Sequence, residues 1–291
     1  MIKFIASDMD GTLLGKNNDI SEENLNAIRK AEEMGIHFVI ASGRMYEEIK
    51  PFLDQYNLKC ECIALNGAEY RDKVGKILEG IYMEKSNVKN ILNIIEEVGF
   101  NIEIYTDKGL YTTNTKEESL RGSMLRVQFF HPEVTSYEEI LKNAKEDYHF
   151  INLNYIDDID EFLNTNVKIG KIEAYNKSED KVVELKEKLE NIDKLAIASS
   201  IAINVEVNHI EAQKGIILAK VAEKKRVSKE EVVVIGDGFN DYSMFAEFPI
   251  SFAMENAIPE IKEIAKYVTD TNYNSGVAKV VYKVLQGIWV N

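Results

Sequence analysis

The sequence predicts an α/β fold, with a Rossmann-like, doubly wound parallel sheet as its core and an α+β cap domain inserted into it. Short apolar runs alternate with helical patterns at both ends of the chain, as in a parallel sheet that helices cover on both faces. In the middle of the chain, strands and helices follow one another in mixed order, which is typical of a separate α+β domain. The 291 residues, 45% of them hydrophobic, are enough to form both cores.

The N-terminal segment predicts three strands of the parallel sheet and the two helices between them. Its apolar runs are short, as in buried parallel strands, and its first helical pattern begins at Ser21 and stops at Gly35. The predicted strands are 2–7, 37–41 and 62–65, and the predicted helices are 21–35 and 45–56.

The pattern changes after the third strand. A hairpin over 69–82 is followed by a mixed segment, so we assign residues 1–83 and 210–291 to the core and residues 84–209 to the inserted domain. A domain inserted in this way can serve as a lid over a site. Within it, the predicted helices are 87–98 and 179–191, and the predicted strands are 101–106, 110–113, 168–175, 194–198 and 203–207.

The C-terminal segment returns to the alternating pattern. A helix is predicted over 214–225, and Ser228 with Glu231 forms a capping box before the apolar strand 232–235. The single tryptophan, Trp289, is interpreted as a packing residue. A strand at 250–253, a helix near 257–266 and a last helix from residue 276 complete the core.

The composition disfavours several classes of protein. A formal net charge of −14 repels nucleic acid phosphates, and no basic cluster offsets it. No window approaches the roughly 18 consecutive apolar residues that span a bilayer, and the apolar start runs into acidic residues instead of a cleavage site. Cys60 and Cys62 are expected to be core thiols in a reducing compartment. We therefore expect a cytoplasmic protein that binds neither nucleic acid nor membrane, and the pattern indicates no oligomeric state.

An acidic motif, Asp8-Met9-Asp10-Gly11-Thr12, follows the first predicted strand. In an extended chain, side chains two residues apart point the same way, so Asp8 and Asp10 are expected to face the crevice beyond the carboxyl end of that strand. Ligands bind at this edge in open α/β sheets. Alone, the motif is also consistent with a loop that carries acidic turn residues.

A second acidic group, GDGFND at 236–241, follows the strand 232–235. If a helix begins there, Asp237 and Asp241 lie about one turn apart. Alone, this group could be a glycine-rich turn with a helix cap, but two acidic groups at the ends of neighbouring parallel strands converge on one point. Carboxylates held together need a cation, and oxygen ligands favour Mg²⁺ over zinc or copper, with Ca²⁺ possible on ligand type alone.

A weaker motif, Ser42-Gly43-Arg44, follows the strand 37–41 at the same predicted edge. The serine hydroxyl and the backbone amides there could bind phosphate oxygens, and Arg44 could contact a substrate. Ser-Gly is also an ordinary turn signal, so the motif alone decides nothing.

Two further segments could reach the same edge. Lys214, followed by glycine at the start of a helix, could contact a phosphate or could be a surface lysine. Asn66-Gly67 follows the third strand and could be a hairpin turn or a loop that faces a substrate. The sequence has no phosphate-binding GxxxxGK[ST] loop, no GxSxG elbow and no HExxH motif, which argues against those enzyme classes.

Together these motifs resemble those of the haloacid dehalogenase superfamily, specifically its Cof-type sugar-phosphatase branch with a large α+β cap. The resemblance covers nearly the whole chain, and all five motifs agree in order and spacing. They are DMDGT at 8–12, SGR at 42–44, NG at 66–67, KG at 214–215 and GDGFND at 236–241. The resemblance implies a Mg²⁺-dependent phosphatase that acts on sugar phosphates or similar small metabolites through an aspartyl-phosphate intermediate.

The resemblance also implies roles for the motif residues. Asp8 is expected to be the nucleophile, and Asp10 the acid that protonates the leaving oxygen and then the base that activates water. Thr12, Ser42 and Lys214 are expected to hold the phosphoryl oxygens. The Mg²⁺ ligands are expected to be Asp8, the backbone carbonyl of Asp10 and Asp237, with Asn240 and Asp241 supporting them from behind.

Two other functions stay open at this point. A phosphosugar mutase of the phosphomannomutase type would return the phosphoryl group to sugar, and a non-catalytic phosphometabolite-binding protein would only bind it. Glu255 stands where relatives usually have glycine, and we expect a small change near the site entrance. In the inserted domain, Arg121, Arg126 or aromatic residues could contact the substrate, but no pattern selects among them.

Overall fold

The parallel sheet predicted for the two ends of the chain is present in the structure, a computed structural model that describes residues 1–16 and 18–288. The strands are β1 Phe4–Asp8, β2 His37–Ala41, β3 Glu61–Ala64, β4 Glu69–Arg71, β5 Ile77–Gly80, β6 Asn101–Thr106, β7 Gly109–Thr112, β8 Leu153–Tyr155, β9 Ile169–Tyr175, β10 Leu195–Ala198, β11 Asn204–His209, β12 Val232–Gly236, β13 Ile250–Ala253 and β14 Tyr267–Val268. The helices are α1 Glu22–Glu33, α2 Tyr46–Tyr56, α3 Lys85–Val98, α4 Lys116–Phe130, α5 Tyr137–Glu146, α6 Tyr148–Asn152, α7 Ile159–Asn164, α8 Glu179–Leu189, α9 Lys214–Lys224, α10 Tyr242–Glu247, α11 Pro259–Ile264 and α12 Gly276–Gln286. The predicted α/β fold class is confirmed, and Trp289 lies outside the described residues.

Two compact units make up the chain. Met1–Ile81 and the residues from Glu211 onward form the first, which we call the core unit, and Tyr82–Ile210 form the second, the inserted unit. None of the helices described in either unit combines the length and the apolar character that a membrane crossing requires. The roles predicted for the two units, catalysis and substrate selection, stay predictions.

The core unit contains an eight-stranded sheet in the order β14-β13-β12-β1-β2-β3-β4-β5. The strands from β14 to β3 are parallel, and β4 and β5 add an antiparallel hairpin at one edge. Every residue of β1 and β12 is buried, as expected for strands covered on both faces. Because β1 pairs with both β12 and β2, the carboxyl ends of these three strands are adjacent.

Local signals in the sequence set the ends of the core elements. Ser21 caps α1 by accepting a hydrogen bond from the backbone N–H of Asn24 (3.2 Å), and Gly35 follows the helix with a φ of 79°. The predicted capping box is present before β12, where the backbone N–H of Ser228 donates to Glu231 Oε2 (3.1 Å). These residues fix where α1 begins and ends and where β12 begins.

The inserted unit contains a six-stranded sheet in the order β10-β11-β9-β6-β7-β8, which is antiparallel except for the pair β7 and β8. One face packs on α3 and α8 through aliphatic side chains of β6, β9 and β11. The opposite face carries three buried glutamates at directly paired positions of these strands, Glu103, Glu173 and Glu206. Like charges in direct register repel each other, so each carboxylate requires partners of its own.

Polar partners compensate two of these carboxylates on neighbouring strands. Lys171 Nζ lies 2.6 Å from Glu173 Oε2, and both side chains are buried. Ser200 Oγ donates to Glu206 Oε1 (2.7 Å). A buried charge that is paired in this way avoids most of the cost of its desolvation.

Arg126 compensates the third carboxylate. Its guanidinium forms ion pairs with Glu103 and Asp147, and His149 Nδ1 lies 2.7 Å from Glu103 Oε2. Burial raises the pKa of Glu103, but Arg126 and His149 outweigh burial and hold this pKa well below its ordinary value. Arg126 was considered as a possible substrate contact from the sequence. In the structure its guanidinium pairs with Glu103 and Asp147 inside the inserted unit.

The sequence pattern does not predict α4 to α7 or β8. Helix α4 lacks a clear apolar stripe because most of its buried positions are Ser119, Gly122, Ser123 and Arg126 instead of aliphatic residues. The helices α6 and α7 have five and six residues, which is too short for a periodic pattern. A small apolar cluster of Val127, Ile140 and Ala144 joins α4 to α5, and the buried polar groups of α4 beside it weaken the hydrophobic periodicity of that helix.

We expect Arg126→Gln to destabilise the inserted unit by about 3–5 kcal/mol, since it leaves Glu103 buried without its cation. The matched control is Arg121→Gln on the same helix, because Arg121 is exposed and pairs only with the exposed Glu117. Hydrogen exchange over residues 82–210, measured by mass spectrometry, should rise in the first variant and not in the second. Equal protection in both variants would contradict the structural role of Arg126.

Candidate active site

The predicted nucleophile, Asp8, is the last residue of β1 and is buried. The chain then leaves the sheet in a tight turn over Met9–Leu13, in which Gly11 has a φ of 78°. A Cβ atom on residue 11 would lie 2.3 Å from Asp237 Oδ2, so both the backbone conformation and the available space require glycine. This close approach brings the end of β1 against the loop that follows β12.

A fully buried lysine connects the two acidic motifs. Lys214 Nζ lies 2.6 Å from Asp8 Oδ1 and 2.6 Å from Asp241 Oδ1. Burial alone would lower the pKa of Lys214, but the two carboxylates reverse this effect and raise it above its ordinary value. Lys214 is therefore a fixed positive charge between two aspartates, and the alternative of a surface lysine is wrong.

Two glycines allow Lys214 to reach this position. A Cβ on Gly215 would lie 2.0 Å from the carbonyl oxygen of Ser243, so the start of α9 packs directly on the start of α10. A Cβ on Gly67 would lie 2.6 Å from the backbone carbonyl carbon of Gln213, the residue that precedes α9. The first turn of α9 is thus held between the loop after β3 and the segment after β12.

The loop after β12 contributes Asp237 and Asp241. Thr12 Oγ1 donates to Asp237 Oδ1 (2.6 Å). Asp241 Oδ2 accepts hydrogen bonds from the backbone N–H groups of Asp237 (2.9 Å) and Gly238 (3.1 Å). Since its Oδ1 binds Lys214, both oxygens of Asp241 are occupied, and its carboxylate orients the neighbouring groups.

Two of these carboxyl groups have raised pKa values. Burial, with a further contribution from the charge of Asp241, raises the pKa of Asp237 to about 7. Burial and the same neighbour raise the pKa of Asp8 well above its ordinary value, although Lys214 opposes this effect. Both groups are acids that a further nearby cation would stabilise in their charged form.

The residues present fit a divalent cation. Carboxylate oxygens of Asp8, Asp237 and Asp241 lie within 4.8 Å of one another. Asp8 Oδ2 is buried and has no hydrogen-bond partner among the described residues, which is costly for a carboxylate oxygen unless a cation binds it. Because both oxygens of Asp241 are already engaged, Asp8 and Asp237 are the better ligands of the three, and an all-oxygen set favours Mg²⁺.

Asp10, two residues after Asp8, is placed differently from it. Because β1 ends at Asp8, the alternation of the strand does not continue, and the Asp10 side chain is 51% exposed. Arg44 donates to both of its carboxylate oxygens, from Nε to Oδ2 (2.8 Å) and from Nη2 to Oδ1 (2.5 Å). The charge of Asp10 is still among those that raise the pKa of Asp8, so the two carboxylates are near neighbours.

The loop after β2 lies beside the loop after β3. Ser42 is buried, and its Oγ accepts a hydrogen bond from the backbone N–H of Arg44 (3.1 Å). A Cβ on Gly43 would lie 2.9 Å from Asn66 Oδ1, which also accepts a hydrogen bond from Asn240 Nδ2 (3.3 Å). The asparagine pair connects the loops after β3 and β12.

The Asn66-Gly67 segment is a strained turn that the sequence indicated only as a hairpin or a loop. Leu65, Asn66 and Gly67 have φ values of 51°, 58° and 115°, and all three residues are buried. Left-handed conformations at non-glycine residues are unfavourable and are often found at functional sites. Here they turn the Asn66 side chain towards Gly43 and Asn240.

Sequence reasoning missed one residue of this site. Asn256 Nδ2 donates to the carbonyl oxygen of Gly11 (2.7 Å), and Asn256 Oδ1 accepts from the backbone N–H of Asn272 (3.0 Å). The adjacent Glu255 is exposed and lies 3.6 Å from Lys262. An asparagine that contacts a backbone carbonyl gives no signal in the sequence.

We expect Lys214→Met to destabilise the core unit by about 3–5 kcal/mol at pH 8, because Asp8 and Asp241 lose their buried cation. Lys220→Met on the same helix is the matched control, since Lys220 is 44% exposed and lies 3.8 Å from its partner Glu79. Urea unfolding followed by circular dichroism should separate the two variants. Indistinguishable transitions would mean that Lys214 is not the cation that holds this site together.

The raised pKa of Asp237 predicts pH-dependent binding of Mg²⁺. Below about pH 7 this carboxyl carries a proton, which must leave before the metal binds, so affinity should fall by up to about tenfold per pH unit as pH decreases. Calorimetric titration between pH 6 and pH 8 should show this dependence in the natural chain. It should show weak binding in Asp237→Asn and natural behaviour in Asp54→Asn, an exposed aspartate paired with Lys50. The same affinity at all pH values in the natural chain would contradict the raised pKa of Asp237, and undiminished binding in Asp237→Asn would exclude Asp237 as a ligand.

Comparisons with known proteins identify the family of this chain. A model of the haloacid dehalogenase-like hydrolases matches residues 5–281. Phosphatase YwpJ of Bacillus subtilis (strain 168) is 30% identical, over 98% of this chain and 100% of its own length. The 5-amino-6-(5-phospho-D-ribitylamino)uracil phosphatase YwtE of the same organism is 31% identical, over 98% of this chain and 99% of its own length.

A comparison with solved structures finds the same family. A haloacid dehalogenase-like hydrolase from B. subtilis has a TM-score of 0.84 and 29% identity to this protein, over 97% of this chain and 99% of that one. The family predicted from the motifs and the predicted enzyme class, a phosphoric monoester hydrolase, are confirmed by these matches. The chain belongs to the haloacid dehalogenase-like hydrolase family.

Proposed function

We propose that this protein is a Mg²⁺-dependent phosphatase that hydrolyses small phosphate monoesters through an aspartyl phosphate on Asp8. The observation that carries the proposal is the state of the Asp8 carboxylate. Lys214 holds Oδ1, and Oδ2 is buried without a hydrogen-bond partner among the described residues. A carboxylate with one oxygen held by a lysine and the other without a hydrogen bond suits an acid that binds Mg²⁺ and attacks phosphorus better than a structural acid.

Charge is the main obstacle to this chemistry, because the substrate phosphate is an anion that must approach several aspartates. Lys214 supplies one fixed positive charge beside Asp8. Mg²⁺ held by Asp8, Asp237 and the backbone carbonyl of Asp10 would supply the rest, by neutralising the phosphate charge. Asn240 and Asp241 would support this arrangement from behind, through Asn66 and through Lys214.

The proposed reaction has two halves. In the first, a carboxylate oxygen of Asp8 forms a bond to phosphorus, the ester P–O bond breaks, and Asp10 gives its proton to the leaving oxygen. In the second, Asp10 takes a proton from water, the water oxygen attacks phosphorus, and the bond to Asp8 breaks as inorganic phosphate leaves. Asp10 thus starts and ends with one proton, and no other reactant is needed.

Several residues around Asp8 are suited to hold the phosphoryl oxygens. We assign this role to Thr12, Ser42, the backbone of Gly43 and Lys214, all close to the ends of β1, β2 and the start of α9. In this structure the Thr12 hydroxyl donates to Asp237 and the Ser42 hydroxyl accepts from Arg44. The Thr12 hydroxyl would therefore change its partner when a phosphate binds, whereas the Ser42 hydroxyl could donate to the phosphate and keep its bond from Arg44.

The substrate class follows from the relatives. One of them is named as a phosphatase of 5-amino-6-(5-phospho-D-ribitylamino)uracil, whose phosphate is carried on a ribityl chain. We propose a small phosphorylated metabolite with a sugar or polyol chain as the substrate, and a cytoplasmic enzyme, as its two buried free thiols suggest. The inserted unit, Tyr82–Ile210, would act as the cap that selects the substrate, and Asn66 and Gly67 remain candidates for contacts near the phosphate.

The test is release of inorganic phosphate from a panel of sugar and polyol phosphates in the presence of Mg²⁺. Asp8→Asn should abolish this release and leave the melting temperature close to that of the natural chain, because it removes charge with little change in volume. Asp54→Asn, which removes only an exposed ion pair with Lys50, should keep full activity.

Analysis of the products distinguishes the phosphatase from the two alternatives, a mutase and a non-catalytic binding protein. An isomerised ester in place of inorganic phosphate would indicate a mutase, and binding without any turnover would indicate a sensor. Turnover by Asp8→Asn near the natural rate would exclude the covalent route.

A further inference from the structure

We propose that Arg44 is a positioning residue that holds Asp10 in place for proton transfer, instead of a residue that binds the substrate. This inference rests on the function proposed above and adds to it a residue that controls the acid and base. The sequence suggested Arg44 only as a possible substrate contact, and the geometry points to the other role.

Arg44 and Asp10 form a bidentate ion pair. Two parallel N–H groups of the guanidinium, Nε and Nη2, donate to the two oxygens of one carboxylate at 2.8 Å and 2.5 Å. Such a pair of charge-assisted bonds fixes the plane of the carboxylate as well as its distance. Of the described residues, only Arg44 donates hydrogen bonds to the Asp10 side chain.

Arg44 is itself held from three sides. Its backbone N–H donates to Ser42 Oγ (3.1 Å), and its carbonyl oxygen accepts from the backbone N–H of Leu65 (2.9 Å). Its guanidinium carbon lies 5.4 Å from the centre of the Phe52 ring, within cation–π range. The side chain is 26% exposed, so an arginine that is mostly covered positions an aspartate that is half exposed.

Asp10 needs such a support because of where it lies. It follows β1 in a turn and precedes Gly11 with its φ of 78°, and half of its side chain is exposed. An exposed side chain in a turn would otherwise sample several rotamers. Proton transfer requires the donor within hydrogen-bond reach of the leaving oxygen, and a displacement of about 1 Å can cost roughly a hundredfold in rate.

The two hydrogen bonds also explain how Asp10 can transfer a proton while Arg44 still holds it in place. Both of its oxygens accept from Arg44 here, as in an ionised carboxylate, so one of the two bonds must open for Asp10 to carry the proton that the first half of the reaction uses. The second bond then still fixes the carboxylate. A lysine, with one ammonium group, lacks the two parallel donors and would fix the group less well.

Leaving-group dependence tests this role. The two substrates are 4-nitrophenyl phosphate, whose leaving group departs without a proton, and the best alkyl phosphate from the sugar phosphate panel, whose leaving group needs one. The measured quantity is kcat/KM, because it reports the steps up to departure of the leaving group. Arg44→Gln should lower kcat/KM for the alkyl ester by about 30- to 100-fold and for 4-nitrophenyl phosphate by less than about threefold.

A double-mutant cycle adds a second measurement. If Arg44 acts through Asp10, Asp10→Asn combined with Arg44→Gln should be no more than about threefold slower than Asp10→Asn alone. The inhibition constant of inorganic phosphate should stay within about threefold in Arg44→Gln, because the phosphate site is intact. Arg44→Lys should lie between the natural chain and Arg44→Gln, and it keeps the test available if Arg44→Gln fails to fold.

The surface variant Arg29→Gln is the matched control, since Arg29 is an exposed arginine whose guanidinium donates to the carbonyl oxygen of Tyr56. It should keep natural activity with both esters. Equal losses with both esters, multiplicative losses in the double variant or a weakened phosphate inhibition would each overturn the positioning role. If the natural chain hydrolyses neither ester with Mg²⁺, the proposed function fails as well. If the natural chain is active and Arg44→Gln lowers kcat/KM equally for both esters, only the positioning role of Arg44 fails.

Discussion

The ion pairs of Lys214 are the interaction on which the rest of the core unit depends. Its ammonium group is fully buried and lies 2.6 Å from oxygens of both Asp8 and Asp241, which come from opposite ends of the chain. Three charges without water around them are unfavourable unless each is within hydrogen-bond distance of another. The polypeptide therefore has to bring β1, the start of α9 and the loop after β12 together at once, and the parallel sheet is the means of doing so.

This requirement explains the shape of the loops around the site. Gly11 and Gly67 stand where any side chain would collide with Asp237 or with the backbone before α9, and Leu65 and Asn66 adopt left-handed backbone conformations. These features cost stability in the folded chain. They place the edges of three loops close together, so that Asn240 binds Asn66 and Asp241 holds Lys214 beside Asp8, which favours catalysis more than stability.

The sequence was sufficient for the core because the signals there are local. Short apolar strands and capping residues predict β1, β2, β3, β12 and most of the core helices. The motifs after β1 and β12 and at the start of α9 indicate Asp8, Asp237 and Lys214 as candidate site residues. The sequence was insufficient where tertiary contacts determine the position of a side chain. Nothing local shows that Asp10 leaves the alternation of the strand to meet Arg44, that Asn256 contacts the carbonyl of Gly11, or that the buried side of α4 is built around Arg126.

The row formed by Glu103, Glu173 and Glu206 has a consequence for how the inserted unit folds. These residues alternate along their strands with the aliphatic side chains that pack on α3 and α8. If one strand paired with its neighbour one position out of register, its glutamate would enter that aliphatic layer, away from Lys171, Arg126 and Ser200. The buried acids thus penalise mispaired versions of this sheet, so that the correct alignment of its strands is protected by the same groups that make its interior polar.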